Sequence, residues 1–151
     1  MPRAPFLPVL RELAKAYQAF EAYSSTHIRT LDLTPPQFDI IATLGNTPGM
    51  SLKDLGAKTL ITKGTLTGVV DRLVDKKLVR RVASPSDGLS QIVQLTKRGE
   101  EMFARIFPAH VDHLEQAFLE LKSEELINME ASLRRLREAF VAARTAMDKA
   151  P

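Results

Sequence analysis

The sequence predicts a mainly α-helical chain with a small β-hairpin wing: a winged helix-turn-helix joined to a helical dimerisation region. Three observations predict it. Apolar residues recur at three- and four-residue steps over most of the chain, the pattern of amphipathic helices. That period gives way to alternation in Leu78–Ala83 and Gln91–Leu95, around the turn signal Ser84-Pro85-Ser86-Asp87-Gly88. Just before the alternation lie two short helices joined by a tight turn, the second bearing glycines and followed by cations.

Each element has its own reason. From Phe6 to about Leu31, Leu10, Leu13, Tyr17 and Phe20 line one face of an amphipathic helix. Thr34 suits an N-cap, and Pro35 and Pro36 suit a first turn, where a missing N–H is harmless. This second helix carries Phe38, Ile41, Ala42 and Leu44 and stops at Gly45-Asn46-Thr47-Pro48-Gly49. Ser51 opens a third helix, with Asp54 three residues on as a capping-box-like pair. Thr62 is the N-cap of the fourth, whose stripe is Leu66, Val69, Val70, Leu73 and Val74. Thr96-Lys97-Arg98-Gly99-Glu100 starts a long helix, bent near Pro108. Ser123 caps the last helix, with Glu124 and Glu125 in its first turn and a stripe through Leu126, Met129, Leu133, Leu136, Phe140 and Ala143. The terminal helices carry more apolar face than one small winged domain can cover, which predicts a homodimer. The domains expected are residues 1–32 and 100–151 for dimerisation and 33–99 for the winged helix-turn-helix.

Composition narrows the function. The chain has 151 residues, 44% of them hydrophobic, which suits a folded core. With no cysteine there are no disulfides and no thiolate metal sites. The start, MPRAPFLPVLREL, lacks the apolar core of a signal peptide, and no long apolar run predicts a membrane span, so the reading is cytoplasmic. The formal charge is +3, but Ser51 to Arg98 holds ten Lys and Arg against four Asp, a net of +6 that leaves −3 for the rest. A basic middle of this kind suits contact with a polyanion. No phosphate loop, dinucleotide turn, GxSxG or thiol nucleophile is present, so the protein is read as no enzyme and as needing no cofactor. His110 and His113, at i and i+3, are weak metal candidates that His27 could join.

The fourth helix poses a question. Gly64 and Gly68 lie on its outer face, where each interior glycine costs up to roughly 1 kcal/mol relative to alanine. A helix entering a groove about 12 Å wide needs a slim outer face. Thr62, Lys63, Gly64, Thr65, Thr67 and Gly68 are therefore the candidates to meet DNA at the helix N-terminus. Arg72, Lys76, Arg80, Arg81, Lys97 and Arg98 are candidates for phosphate contact and counterion release.

The runs LTPPQFDIIATLG, SLKDLGAKTLITKGTLTGVVDRLVDKKLVRR and LTKRGEE resemble the MarR family (multiple-antibiotic-resistance regulators), most closely from Leu33 to Glu101. The resemblance implies a homodimeric transcriptional regulator on double-stranded DNA, with the fourth helix in the major groove and the wing at the flanking minor groove. Many such proteins release DNA when a small, often aromatic, molecule binds between the dimer region and the DNA-binding lobe. By that resemblance the effector candidates are Tyr17, Phe20, His27 and Phe38, with Ile28, Leu31 and Ile41 nearby. Two alternatives remain: an architectural or protein-interaction dimer, and a zinc-responsive regulator. The wing departs from the family pattern DPEDRRAVRVRLT. Its thirteen positions read SPSDGLSQIVQLT, with Gly88, Leu89, Ile92 and Gln94 where the arginines would stand.

Overall fold

A computed structural model describes residues 4–151. Met1–Arg3, which open both the N-terminal reading and the 1–32 segment, lie outside the described residues. The elements run α1 (Leu7–Thr30), α2 (Pro35–Leu44), α3 (Leu52–Lys58), α4 (Lys63–Asp75), β1 (Val79–Ala83), β2 (Gln91–Leu95), α5 (Lys97–Phe118) and α6 (Ser123–Asp148).

Local chemistry sets most boundaries. Thr34 caps α2 as expected: its hydroxyl accepts from the Gln37 N–H, and the Gln37 carbonyl accepts from the Thr34 N–H. The Ser51 hydroxyl accepts from the Asp54 N–H at the start of α3. Two caps differ from expectation. Thr62 holds the N-cap position of α4, but its hydroxyl donates to the Thr65 hydroxyl at 3.1 Å and caps no backbone N–H. The N-cap of α6 is Lys122, one residue earlier than Ser123, because the Glu125 carboxylate accepts the Lys122 N–H and satisfies the helix end without a serine. Helix α5 runs through Pro108 without interruption, lacking the one hydrogen bond a proline nitrogen cannot donate.

The chain divides into two compact units, Met1–Leu114 and Glu115–Pro151. The core of the first is continuous. Ile28 from α1, Ile40, Ile41 and Leu44 from α2, Leu55 from α3, Val70 and Leu73 from α4, Val79, Val93 and Ile106 are all buried in it. The hairpin pairs Val79 with Leu95 through Ala83 with Gln91, antiparallel. Its other side is fixed too, because Met50 and Val93 exchange both backbone hydrogen bonds, at 3.0 and 2.8 Å. Gly99 lets the start of α5 close on the hairpin base: a Cβ there would stand 2.1 Å from the Leu78 carbonyl oxygen. In the second unit α6 buries none of its residues, and Leu133 and Phe140 of its stripe are 57% and 50% exposed.

Candidate nucleic-acid interface

Helix α4 turns Leu66, Val69, Val70 and Leu73 into the core. That rotation leaves Lys63, Gly64, Thr65, Thr67, Gly68 and Arg72 exposed together on the opposite side, with Thr62 exposed at the cap. A Cβ built on Gly64 or on Gly68 would meet nothing within 4 Å. No packing inside the protein therefore calls for a glycine at either position, and the slim outer face faces outward.

The cations fall into two sets. Lys63, Arg72, Lys97 and Arg98 are exposed, and none of them takes part in a salt bridge among the described residues. The other three candidates are tied. Arg81 pairs with Asp71 at 2.6 Å, so it braces β1 against α4. The Arg80 Nε donates to the Gln94 carbonyl at 2.6 Å, across the hairpin. Lys76, the C-cap of α4, donates to the Asp32 carbonyl at 3.0 Å and to the Gln37 side-chain carbonyl at 3.2 Å. The partners of these three of the six phosphate candidates lie across the fold and left no sign in local spacing.

The wing tip is ordered from within. Asp87 accepts the N–H groups of Leu89 and Ser90 and the Ser90 hydroxyl, at 2.9, 3.0 and 2.6 Å. The Ser90 hydroxyl, then the two N–H groups, hold the Asp87 carboxyl below its ordinary range. Gly88 takes a left-handed conformation with φ of 68°, which suits the turn. Leu89 projects from this turn, 92% exposed.

A second cluster lies at the junction of α1, α2 and α5. All three histidines of the chain meet there, with ring centroids 5.1 to 5.9 Å apart. His27 and His110 face each other through their Nδ1 atoms at 2.9 Å, so one carries the proton and the other offers its lone pair. The His110 Nε2 lies 3.2 Å from the Ser24 hydroxyl, and the Phe38 ring stands 4.5 Å from the His110 ring. His113 stacks on Tyr23 at 4.2 Å; its Nε2 donates to the Tyr23 carbonyl, and the Tyr23 hydroxyl donates back to the His113 carbonyl. Burial, then the neighbouring His27 and His113, lower the pKa of His110 to about 4, so it is neutral near pH 7.

The weak metal candidates thus meet their third partner in position but not in geometry. A metal between two imidazole nitrogens needs about 2.0–2.1 Å to each, and a head-on 2.9 Å contact leaves no room for it. Among the described residues no three His, Asp or Glu groups are arranged to hold an ion.

The effector candidates divide. His27 and Phe38 meet through His110, whereas Tyr17 and Phe20 lie farther toward the start of α1 and are 45% and 47% exposed. The Glu21 side chain, then partial burial, raises the Tyr17 pKa. Two surface concavities, of about 500 and 650 Å³, are lined by none of the four candidates. Sequence reasoning missed Tyr23 and Ser24, and it weighed His110 and His113 for metal alone. The spacing of positions 23, 24 and 27 on one helix and of 110 and 113 on another held that signal, but not which helices meet.

Residues 31–88 match the description of the MarR family. The HTH-type transcriptional regulator MhqR of Bacillus subtilis is 32% identical over 114 residues, 76% of this chain and 79% of that one. The structure of Bordetella bronchiseptica BpsR, from work on regulation of its DNA binding by 6-hydroxynicotinic acid, superposes with a TM-score of 0.78. It is 27% identical, over 91% of this chain and 98% of that one. The MarR family regulator Sco3205 of Streptomyces coelicolor, solved in complex with DNA, gives a TM-score of 0.80 at 26% identity, over 93% and 94% of the two chains.

Proposed function

The chain belongs to the MarR family of transcriptional regulators, and on that footing we propose that it is a cytoplasmic, homodimeric repressor of double-stranded DNA sites whose grip a small aromatic acid releases. No helix among the described residues is long and apolar enough to cross a membrane. Helix α4 enters the major groove with Thr62, Lys63, Thr65 and Thr67 toward base edges and Gly64 and Gly68 against the groove wall. Arg72, Lys97 and Arg98 hold phosphates. The observation that carries this reading is the pair of glycines, which occupy a solvent-facing helix side with no neighbour inside the protein to require them.

The effector reading rests on chemistry at the histidine cluster. His27 and His110 bring imidazole nitrogens beside the Phe38 ring, which suits an aromatic ring bearing hydroxyl or carboxylate groups. BpsR, a structural relative, is regulated by 6-hydroxynicotinic acid, a ligand of this class.

Fluorescence anisotropy on the DNA upstream of the protein's own gene, with and without 6-hydroxynicotinate or 4-hydroxyphenylacetate, tests both parts. Specific binding that either acid weakens is expected. Binding no tighter than to random duplex would overturn the DNA reading, and specific binding insensitive to such acids would overturn the effector reading.

A further inference from the structure

Three consecutive residues of α2 reach three different places. Gln37, 5% exposed, accepts the Lys76 ammonium at the C-cap of α4 through its side-chain carbonyl. Phe38 stands against His110 of the histidine cluster. Asp39 accepts the backbone N–H of Leu60 at 3.0 Å, two residues before the α4 N-cap. The C-cap of α4 and the turn before its N-cap are therefore held by the two α2 residues that flank Phe38, itself against the cluster.

The Asp39 grip has its own mark. Burial raises the pKa of this carboxyl, and the Leu60 N–H draws it back down only in part. The carboxylate has no cation within salt-bridge distance among the described residues. Burying a carboxylate in part without a counter-ion costs stability, and the Leu60 N–H offsets some of that cost. Leu60 itself is 77% exposed, between Thr59, which is buried, and Ile61, which packs on the core, so at Leu60 it is the hydrogen bond to Asp39 that holds the turn to α2.

We propose that Gln37, Phe38 and Asp39 form a clamp that sets the position of α4 and carries changes at the histidine cluster to it. The proposal rests on α4 being the helix that meets DNA. Gln37 and Asp39 are positioning residues: neither needs to touch DNA. A ring shift at His110 displaces Phe38, α2 carries the displacement to both neighbours, and the turn at Leu60 and the C-cap at Lys76 move with it. Coupling of this kind needs only contiguous packing and hydrogen bonds, which the chain His27–His110–Phe38–α2–Leu60 provides.

The test uses the full-length dimer. Asp39→Ala should strip the Leu60 amide of its hydrogen-exchange protection and weaken binding to the upstream DNA at least tenfold. The salt dependence of binding should not change, since no phosphate contact is lost. Asp39→Asn keeps a carbonyl acceptor and should restore both readings to within about threefold of the native protein. His27→Gln, at the far end of the chain of contacts, should shift the Leu60 amide resonance in the native background and not in Asp39→Ala. Native affinity in Asp39→Ala, or Asp39→Asn as weak as Asp39→Ala, would overturn the grip. An unmoved Leu60 amide in His27→Gln would overturn the relay, and that arm stands even if Asp39→Ala fails to fold. The amide readings are taken on DNA-free protein. They therefore judge the clamp alone, whereas absence of specific binding by the native protein would bear on the placing of α4.

Discussion

Gly68 lies in the middle of α4 with open space where a Cβ would stand, so Gly68→Ala should relieve the helix of about 1 kcal/mol. The melting temperature of the free protein should rise by a few degrees. Binding to the upstream DNA should weaken at least tenfold, because the new methyl stands where the groove wall must approach. Calorimetry and anisotropy on the same preparation check both signs; a variant both more stable and equally tight would remove the argument from the glycines. His110 gives a second test. Its ordinary value of 6.5 is lowered to about 4, so from about pH 6.5 downward the unfolded chain takes up a proton that the folded one refuses. Stability should fall as pH drops between about 6.5 and about 4 and level off below, by at most on the order of 3 kcal/mol from this group. Urea unfolding at about pH 7 and about pH 4.5 should show the loss, and His110→Gln should abolish this share of it. These residue-scale features differ in how far they could be read in advance. The glycines stand out from the period of their own helix. The meeting of His27 with His110 joins positions 83 residues apart, and no local pattern encodes which helices pack together.

The wing shows the same limit for a whole element. Its two strands and turn follow from alternation and from Ser84-Pro85-Ser86-Asp87-Gly88, and the structure has them within a residue of the expected ends. The internal role of Asp87 and the pairing of Arg81 with Asp71 emerge only in three dimensions. With Leu89 exposed at the tip and Arg80 and Arg81 engaged at the stem, the wing offers the minor groove little positive charge. Leu89→Arg should tighten binding about tenfold, if the new contact is worth ~1.4 kcal/mol, and the gain should fade as salt rises. Equal affinity at low salt would mean that the wing tip stays clear of the DNA. Two arginines near the hairpin should then part company. Arg72→Ala should lower the salt slope of log K by about 1, as loss of a phosphate contact does. Arg81→Ala should leave that slope closer to native and chiefly loosen the joint between α4 and β1. Equal slopes for the two variants would show that the Asp71 pair opens on DNA.

On the scale of the molecule, the terminal helices carry most of the exposed large apolar residues. Leu7, Val9, Leu10, Leu13, Tyr17 and Phe20 of α1 and Ile127, Met129, Leu133, Phe140 and Val141 of α6 are each more than a third exposed. Such a surface on one protomer calls for a second. Cutting the chain at about residue 122 should give aggregated or unfolded protein, checked by sedimentation and circular dichroism; a folded, soluble monomer would refute the dimer reading. The need for a second copy was legible in the sequence as a surplus of apolar stripe. The hairpin carries the opposite requirement. Met50 closes the open side of β2, and β1 has no strand on its outer side among the described residues. An unpaired edge is a template on which another chain can extend the sheet. Arg80 lies exposed at its middle, and a cation there opposes that recruitment, whereas the Arg81 charge beside it is paired with Asp71. The side chain that bridges the two strands through Gln94 therefore also works, at the concentrations of overexpression, against edge-to-edge polymerisation.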